Sequence, residues 1–232
     1  EIYNHHSLRK ELPRSIKWQG HSDTETLING ISHWGLKKTL SKLCGMFAFA
    51  LWDIEQKKIT LVRDRLGEKP LYFGFIGETM IFSSELKSIE AFPETSLEID
   101  NKSLEIYLKF GYVPAPFSIY KGIYKLSPGN FIELSMEDVK ARSIPKSTEY
   151  WSLEQIINNQ QNYPFSGSKE EAIDYLEFLL KDSISAQLLA DVPIGAFLSG
   201  GIDSSSVVSI MQKQSIEPIN TFTVGFEEFG FD

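Results

Sequence analysis

Two adjacent glycines set among hydroxyls constrain this chain more than any other feature. Ser199-Gly200-Gly201-Ile202-Asp203-Ser204-Ser205 follows a short apolar run at 194–198 and precedes a helical pattern at about 204–213. Residues 221–224 then read as one more strand. Strand, loop, helix and strand in that order make a βαβ unit, the seed of a parallel sheet. The glycines let the backbone take positive φ and approach a bulky anion. N–H groups of the loop and of the first helical turn then form an anion nest. Ser199, Ser204 and Ser205 add hydroxyl donors. Asp203 can cap the helix or hold a magnesium ion beside a phosphate chain. The loop has no lysine to reach a γ-phosphate, so it is not a Walker A loop, and it is not a dinucleotide GxGxxG. The competing reading is a Ser-Gly turn without a ligand. The apolar strand before it and the helix after it favour a nucleotide.

Upstream of this unit, 169–190 predicts a long amphipathic helix, with Ile173, Leu176, Leu180, Ile184 and Leu188 stepping by three and four. Ser168 and Glu171 have the spacing of a capping box. Residues 135–168 turn polar, with an amide-rich run at 158–162, and read as a linker within which Tyr150 and Trp151 pack back on a domain. Residues 1–134 look rich in strands and turns. The unbroken apolar run at 46–52 predicts a buried strand, 59–63 a second, and 71–75 with 80–83 a hairpin around Gly77. Helices are expected at 24–34, with Asp23 as N-cap, at 84–91 and at 103–110.

Composition narrows the class. The chain is 42% hydrophobic and 23% charged, the balance of an ordinary soluble protein. Net charge is −8, which argues against a general nucleic-acid binder, since that needs a basic face. No apolar run approaches the ~20 residues needed to span a bilayer, and no signal peptide is visible. The first residues carry no initiator Met, so Glu1 is not expected to be the natural start. One cysteine, Cys44, leaves no disulfide framework, fits a reduced cytoplasmic setting, and reads as a thiol in or at the edge of a core. His5, His6, His21 and His33 lack metal-ligand spacing and read as surface or cap residues. Arg63, Asp64 and Lys69 read as ion pairs within a tight connection.

Several strings together carry a resemblance. The SGGIDSS segment resembles the signature of the PP-loop, or N-type, ATP pyrophosphatases. The longer string from Asp191-Val192-Pro193 through Ser205 resembles the glutamine-dependent asparagine synthetases and their relatives. Glu1-Ile2-Tyr3-Asn4-His5 with Leu8-Arg9 resembles the NGEIYNHxxLR motif of that family, cut after two residues. Similar family strings are matched by Ser22-Asp23-Thr24-Glu25, by Gly45-Met46-Phe47-Ala48-Phe49-Ala50-Leu51-Trp52-Asp53, by Arg63-Asp64-Arg65-Leu66-Gly67-Glu68-Lys69-Pro70-Leu71-Tyr72-Phe73 and by Ser84-Glu85-Leu86-Lys87.

The resemblance implies an α+β Ntn-hydrolase-like sandwich, layered α-β-β-α and incomplete, at 1–150. It implies the start of an α/β parallel-sheet ATP-pyrophosphatase domain at 165–232. The first would release ammonia from glutamine. The second would adenylate a carboxylate, most simply the side chain of aspartate, and pass it to ammonia with loss of AMP. ATP and Mg2+ are the implied cofactors; glutamine and aspartate, or another carboxylate, are the implied substrates. Neither nucleic acid nor membrane is implied, and a homodimer is allowed. The family's cysteine nucleophile and oxyanion donors would lie before Glu1, so no catalytic residue is assigned and the chain alone is expected to be inactive. Glu1 and Asp23 match residues that bind the glutamine ammonium. Read from the residues alone, Asp23 is a helix cap and Glu1 a surface residue. Ser199, Gly200, Gly201, Asp203, Ser204 and Ser205 match the pyrophosphate loop. Leu198 and Val224 match positions flanking adenosine, where the bare pattern suggests strand core. Two alternatives stay open: a related amidotransferase acting on another carboxylate, such as a uronic acid, and a non-catalytic nucleotide- or partner-binding fragment.

Overall fold

The computed structural model describes residues 1–93, 95–188 and 192–225. The chain divides into two compact units, Glu1–Asn158 and Asn159–Asp232. The first opens with helices α1 (His5–Glu11), α2 (Asp23–Trp34) and α3 (Leu36–Lys42). Strands β1 (Ala48–Asp53) and β2 (Lys58–Arg63) form one hairpin, and β3 (Tyr72–Ile76) and β4 (Thr79–Ser83) another. Helices α4 (Leu86–Glu90) and α5 (Asn101–Phe110) come next. Then follow β5 (Ile123–Lys125), β6 (Asn130–Ser135), α6 (Met136–Ala141) and β7 (Thr148–Glu149). The strands build two antiparallel sheets, in the orders β1-β2-β6-β7 and β4-β3-β5.

Strand alternation explains the layers. Val62 and Phe131 stand opposite each other on β2 and β6, as do their neighbours Leu61 and Ile132. Val62 and Phe131 enter a core with Leu8, Leu27, Leu40 and Phe47, so α1–α3 cover one face of the four-stranded sheet. Leu61 and Ile132 enter another with Leu71, Phe73, Leu126 and Leu134, so the three-stranded sheet covers the opposite face. Both faces of β2 are covered, so Thr60, Leu61 and Val62 are buried in succession, at about 1.5–3 kcal/mol for each large apolar side chain removed from water.

β1, predicted as a buried strand, is the edge of its sheet, with Ala50 exposed and Trp52 49% exposed. An apolar run cannot distinguish an inner strand from an edge strand. The predicted linker at 135–168 is largely structured. Ser135 and Asp138 form a reciprocal capping box on α6, and β7 joins the sheet. The Tyr150 hydroxyl donates to the Arg63 carbonyl at 2.8 Å, and its ring packs on the first core. Polar composition there reflects an exposed helix face, while Val139 and Ile144 pack inward. Cys44, expected in or beside a core, is exposed. It follows the fully buried Leu43 in extended backbone, so the inward place belongs to the leucine.

Helix α7 (Leu153–Gln160) carries the boundary between the units. The second unit contains α8 (Lys169–Gln187), β8 (Gly195–Phe197), α9 (Ile202–Gln214) and β9 (Asn220–Phe222). Ser168 and Glu171 form the expected capping box. β8 and β9 pair in parallel with α9 between them in sequence, the βαβ arrangement read from the pattern. Its core is small: Ile184, Ile210 and Met211, with Leu180, Leu188 and Ile194 against them. The predicted stripe of α8 is only partly used, since Ile173 and Leu176 are more than half exposed. The predicted end of that helix at 189–190, Asp191 of the family string, and 226–232 lie outside the described residues. Among the described residues no helix is long and apolar enough to cross a membrane.

Candidate functional site

Glu1 and Asp23 line one cavity of the first unit, about 400 Å³ in volume. Close backbone packing brings them there. Tyr3 N–H donates to the Cys44 carbonyl at 2.8 Å and Met46 N–H to the Glu1 carbonyl at 3.0 Å. Gly45 sits between these bonds, where a Cβ would lie 2.2 Å from the Glu1 carbonyl oxygen, so only glycine fits. Asp23 opens α2, but the cap is Ser22, whose Oγ accepts the Thr24 N–H at 3.0 Å. This corrects the expectation that Asp23 is the N-cap. Its Oδ2 instead accepts the Ile2 N–H at 2.8 Å, tying the helix start to the segment that carries Glu1.

Thr24, Lys69 and Ser84 line the same cavity, over a floor that includes Leu27 and Phe47. Two carboxylates and one ammonium among the lining residues suit a polar ligand that carries a positive charge. Beside this cluster, burial and then the carboxylates of Glu68 and Glu1 push the Tyr3 phenol above its usual range. The phenol is therefore a neutral donor at neutral pH.

Lys69 reaches the cavity from a rigid connection. Asp64 is fully buried and its carboxylate accepts N–H groups from Phe47, Leu66, Glu68 and Lys69 at 2.9–3.3 Å. Arg63 donates to the carbonyls of Gly67, Lys69 and Leu126 at 2.7–2.9 Å. The expected ion pairs of this stretch are thus replaced, among the described residues, by side chain to backbone bonds. The reason is geometric, since a turn this tight offers unpaired backbone groups closer than any opposite charge.

The loop after β8 is built differently. Gly200 has φ +78°, and a Cβ there would meet no atom within 4 Å. Gly201 caps α9 in extended backbone. The Ser204 hydroxyl accepts the Ser199 N–H at 3.3 Å, meets the Ser199 hydroxyl at 3.0 Å and donates to the Gly201 carbonyl at 3.2 Å. These bonds shape the loop without filling it. The N–H groups of Gly200, Gly201, Ile202, Asp203 and Ser204 make no hydrogen bond among the described residues. Ser205 N–H closes the first turn onto the Gly201 carbonyl at 3.0 Å. Five free donors at a helix start, beyond the carboxyl end of a parallel strand, can accept a polyanion.

Leu198 and Val224 flank this loop. Leu198 N–H donates to Phe222, and the Thr223 hydroxyl donates to the Leu198 carbonyl at 2.6 Å. The alternative reading of Val224 as strand core is corrected, since it lies beyond β9 and is 71% exposed. Leu198 is half-buried. Asp203, Ser199 and Ser205 are exposed around the loop. Asp203 offers an exposed carboxylate on the first turn of α9, a hard oxygen donor of the kind magnesium takes when phosphates supply the rest of its shell.

The sequence brought Glu1 and Asp23 together only through resemblance, and it did not find Lys69, Thr24 or Ser84 as their neighbours. Thr24, Lys69 and Ser84 each stand within a string that resembles the family's, the one signal that could have suggested them.

Residues 1–151 match the family model of the glutamine amidotransferase domain, and 176–232 match that of asparagine synthase. A putative glutamine-hydrolysing asparagine synthetase of Methanocaldococcus jannaschii is 35% identical over 230 residues, covering 98% of this chain and 42% of that protein. A glutamine-hydrolysing asparagine synthetase of Bacillus subtilis is 33% identical over 234 residues, covering 100% of this chain and 34% of that protein. The chain therefore spans less than half the length of these curated relatives. Among solved structures, a glutamine phosphoribosylpyrophosphate amidotransferase of B. subtilis aligns at 17% identity and TM-score 0.43. It covers 99% of this chain and 45% of that one.

Proposed function

The chain belongs to the glutamine amidotransferase domain family, and from that premise we propose that its protein makes an amide from an ATP-activated carboxylate and glutamine-derived ammonia. The carboxylate is most simply the side chain of aspartate, as the names of the relatives suggest. On this reading the first unit is the larger part of an Ntn-type α-β-β-α glutaminase and 165–232 begins an ATP-pyrophosphatase domain. Glu1 and Asp23 hold the ammonium of glutamine. The nucleophile belongs upstream of Glu1, since an exposed internal Cys44 has no α-amine to activate it.

In the second unit the donors of Gly200 to Ser204 hold the phosphate chain of ATP, with Ser199 and Ser205 hydroxyls beside them. Leu198 and Val224 flank the adenosine. Attack of the acceptor carboxylate on the α-phosphorus expels pyrophosphate and leaves an acyl adenylate. Ammonia then displaces AMP. Activation is needed because a free carboxylate is a poor electrophile at neutral pH. Asp203 would hold Mg2+, which neutralises charge on the departing pyrophosphate.

The observation that carries this reading is the open set of N–H donors at the β8–α9 junction. The test separates two half-reactions in the protein. Asp203→Ala should abolish ATP–pyrophosphate exchange and leave glutamine hydrolysis intact. Asp23→Asn, which keeps an acceptor for Ile2, should raise the KM for glutamine and leave the exchange intact. Loss of both reactions in either variant would sink the assignment.

A further inference from the structure

The first unit holds a second cavity, about 520 Å³ in volume, that shares no residue with either site above. Its floor is the β3–β5 pair, where Tyr72 stands opposite Lys125. Leu86 of α4, Leu104 and Tyr107 of α5, and Val113 form walls. The segment bearing α5 is fastened at its base. Ile99 bridges Tyr120, Asp100 N–H donates to the Ile119 carbonyl at 2.8 Å, and Lys121 pairs with Glu98 at 2.7 Å. The cavity is open to solvent on one side, and the fixed elements that line it make it a preformed one.

Lys125 is the single charged residue among those lining it. Its ammonium donates to the Val113 carbonyl and lies 5.6 Å from the centre of the Tyr72 ring. An ammonium has three N–H donors, and the Val113 bond uses one. Among the described residues no carboxylate comes within ion-pair distance of Lys125. Burial first, and then the charge of Arg63, push this lysine below its usual range, so its cationic form gains from any anion that reaches it. Apolar walls, useful volume and one placed polar group are the composition of a small-ligand site.

We propose that this cavity binds a small carboxylic acid with an apolar body, its carboxylate on Lys125 and its hydrocarbon against Leu104 and Tyr107. The sign of the lone charge selects the acid over an alcohol or an amine. The cavity walls select a short aliphatic or aromatic chain over a polar acid.

NMR titration of the protein with hexanoate, hexanol and hexylamine tests this. Hexanoate should saturate at about millimolar affinity, the range expected of so small a ligand. It should bind about tenfold tighter than hexanol, the margin of a hydrogen bond to a charged group. Hexylamine should bind more weakly than hexanol. Lys125→Met should bring hexanoate down to the level of hexanol and leave hexanol unchanged. Lys125→Arg should keep the preference. Equal affinity for acid and alcohol overturns the proposal, as does failure of hexanoate to saturate or an undiminished preference in Lys125→Met. The comparison of acid with alcohol on the wild-type protein decides the matter even if a variant fails to fold.

Discussion

The segment after β2 and the segment after β8 both leave a strand through glycine and polar residues, yet they use their polar groups in opposite ways. In the first, the buried Asp64 carboxylate gathers four backbone N–H groups and Arg63 gathers three carbonyls. In the second, five successive N–H groups are left without a protein partner among the described residues. The bonding of Ser199 and Ser204 only holds the loop open. A connection that satisfies its own donors adds stability and has little left for a ligand. One that leaves them free forgoes stability and is ready to bind. The surroundings repeat the contrast, with two cores of six or more buried residues around the first loop's strands and, among the described residues, a core of three buried residues in the second unit.

The largest effect expected from this contrast is in Asp64→Ala. Four donors lose their acceptor, at about 1 kcal/mol each, so the variant should be less stable by on the order of 4 kcal/mol. The urea midpoint of the first unit measures it, and an unchanged midpoint would break the comparison. Gly200→Ala should act on function instead. The added methyl has space, and the cost is the positive φ, roughly 1–2 kcal/mol for a residue with a Cβ. ATP–pyrophosphate exchange should fall about tenfold, while the urea midpoint of the first unit stays put. Gly200→Asn should recover part of the loss, because asparagine tolerates this backbone region.

The smallest effect sharpens the comparison by showing the self-satisfied design at the surface. Glu25 accepts N–H bonds from Gln19 and Gly20 at 2.7 and 2.9 Å, with Arg9 at 3.7 Å. Those bonds, the one from Gln19 first, hold its carboxyl below the usual glutamate range. A depressed carboxylate stabilises the fold above its unfolded pKa, and that contribution is lost as pH falls through the folded value. Thermal melts of wild type and Glu25→Gln should therefore differ at neutral pH and converge in acid. A constant gap across pH would show that the carboxylate does not act through these bonds.

The sequence by itself determined what is local. The capping box at Ser168 and Glu171, the order strand, loop, helix, strand around 194–224, and the hairpin around Gly77 all follow from residues within a few positions of one another. The geometry of the Ser199–Ser205 loop belongs here too, since it is set by adjacent glycines and its own hydroxyls. Tertiary structure decided whatever depends on distant partners. β1 became an edge because of which strands β6 joined, and 135–160 became ordered because Val139, Ile144 and Tyr150 found cores to pack on. Asp23 gave up the capping role to Ser22 because Ile2 came within reach of its carboxylate. Lys69 and Ser84 joined Glu1 in one cavity although dozens of residues separate them, and no local pattern encodes that meeting. A periodic pattern states which face is apolar, but only the packed chain decides what lies against it.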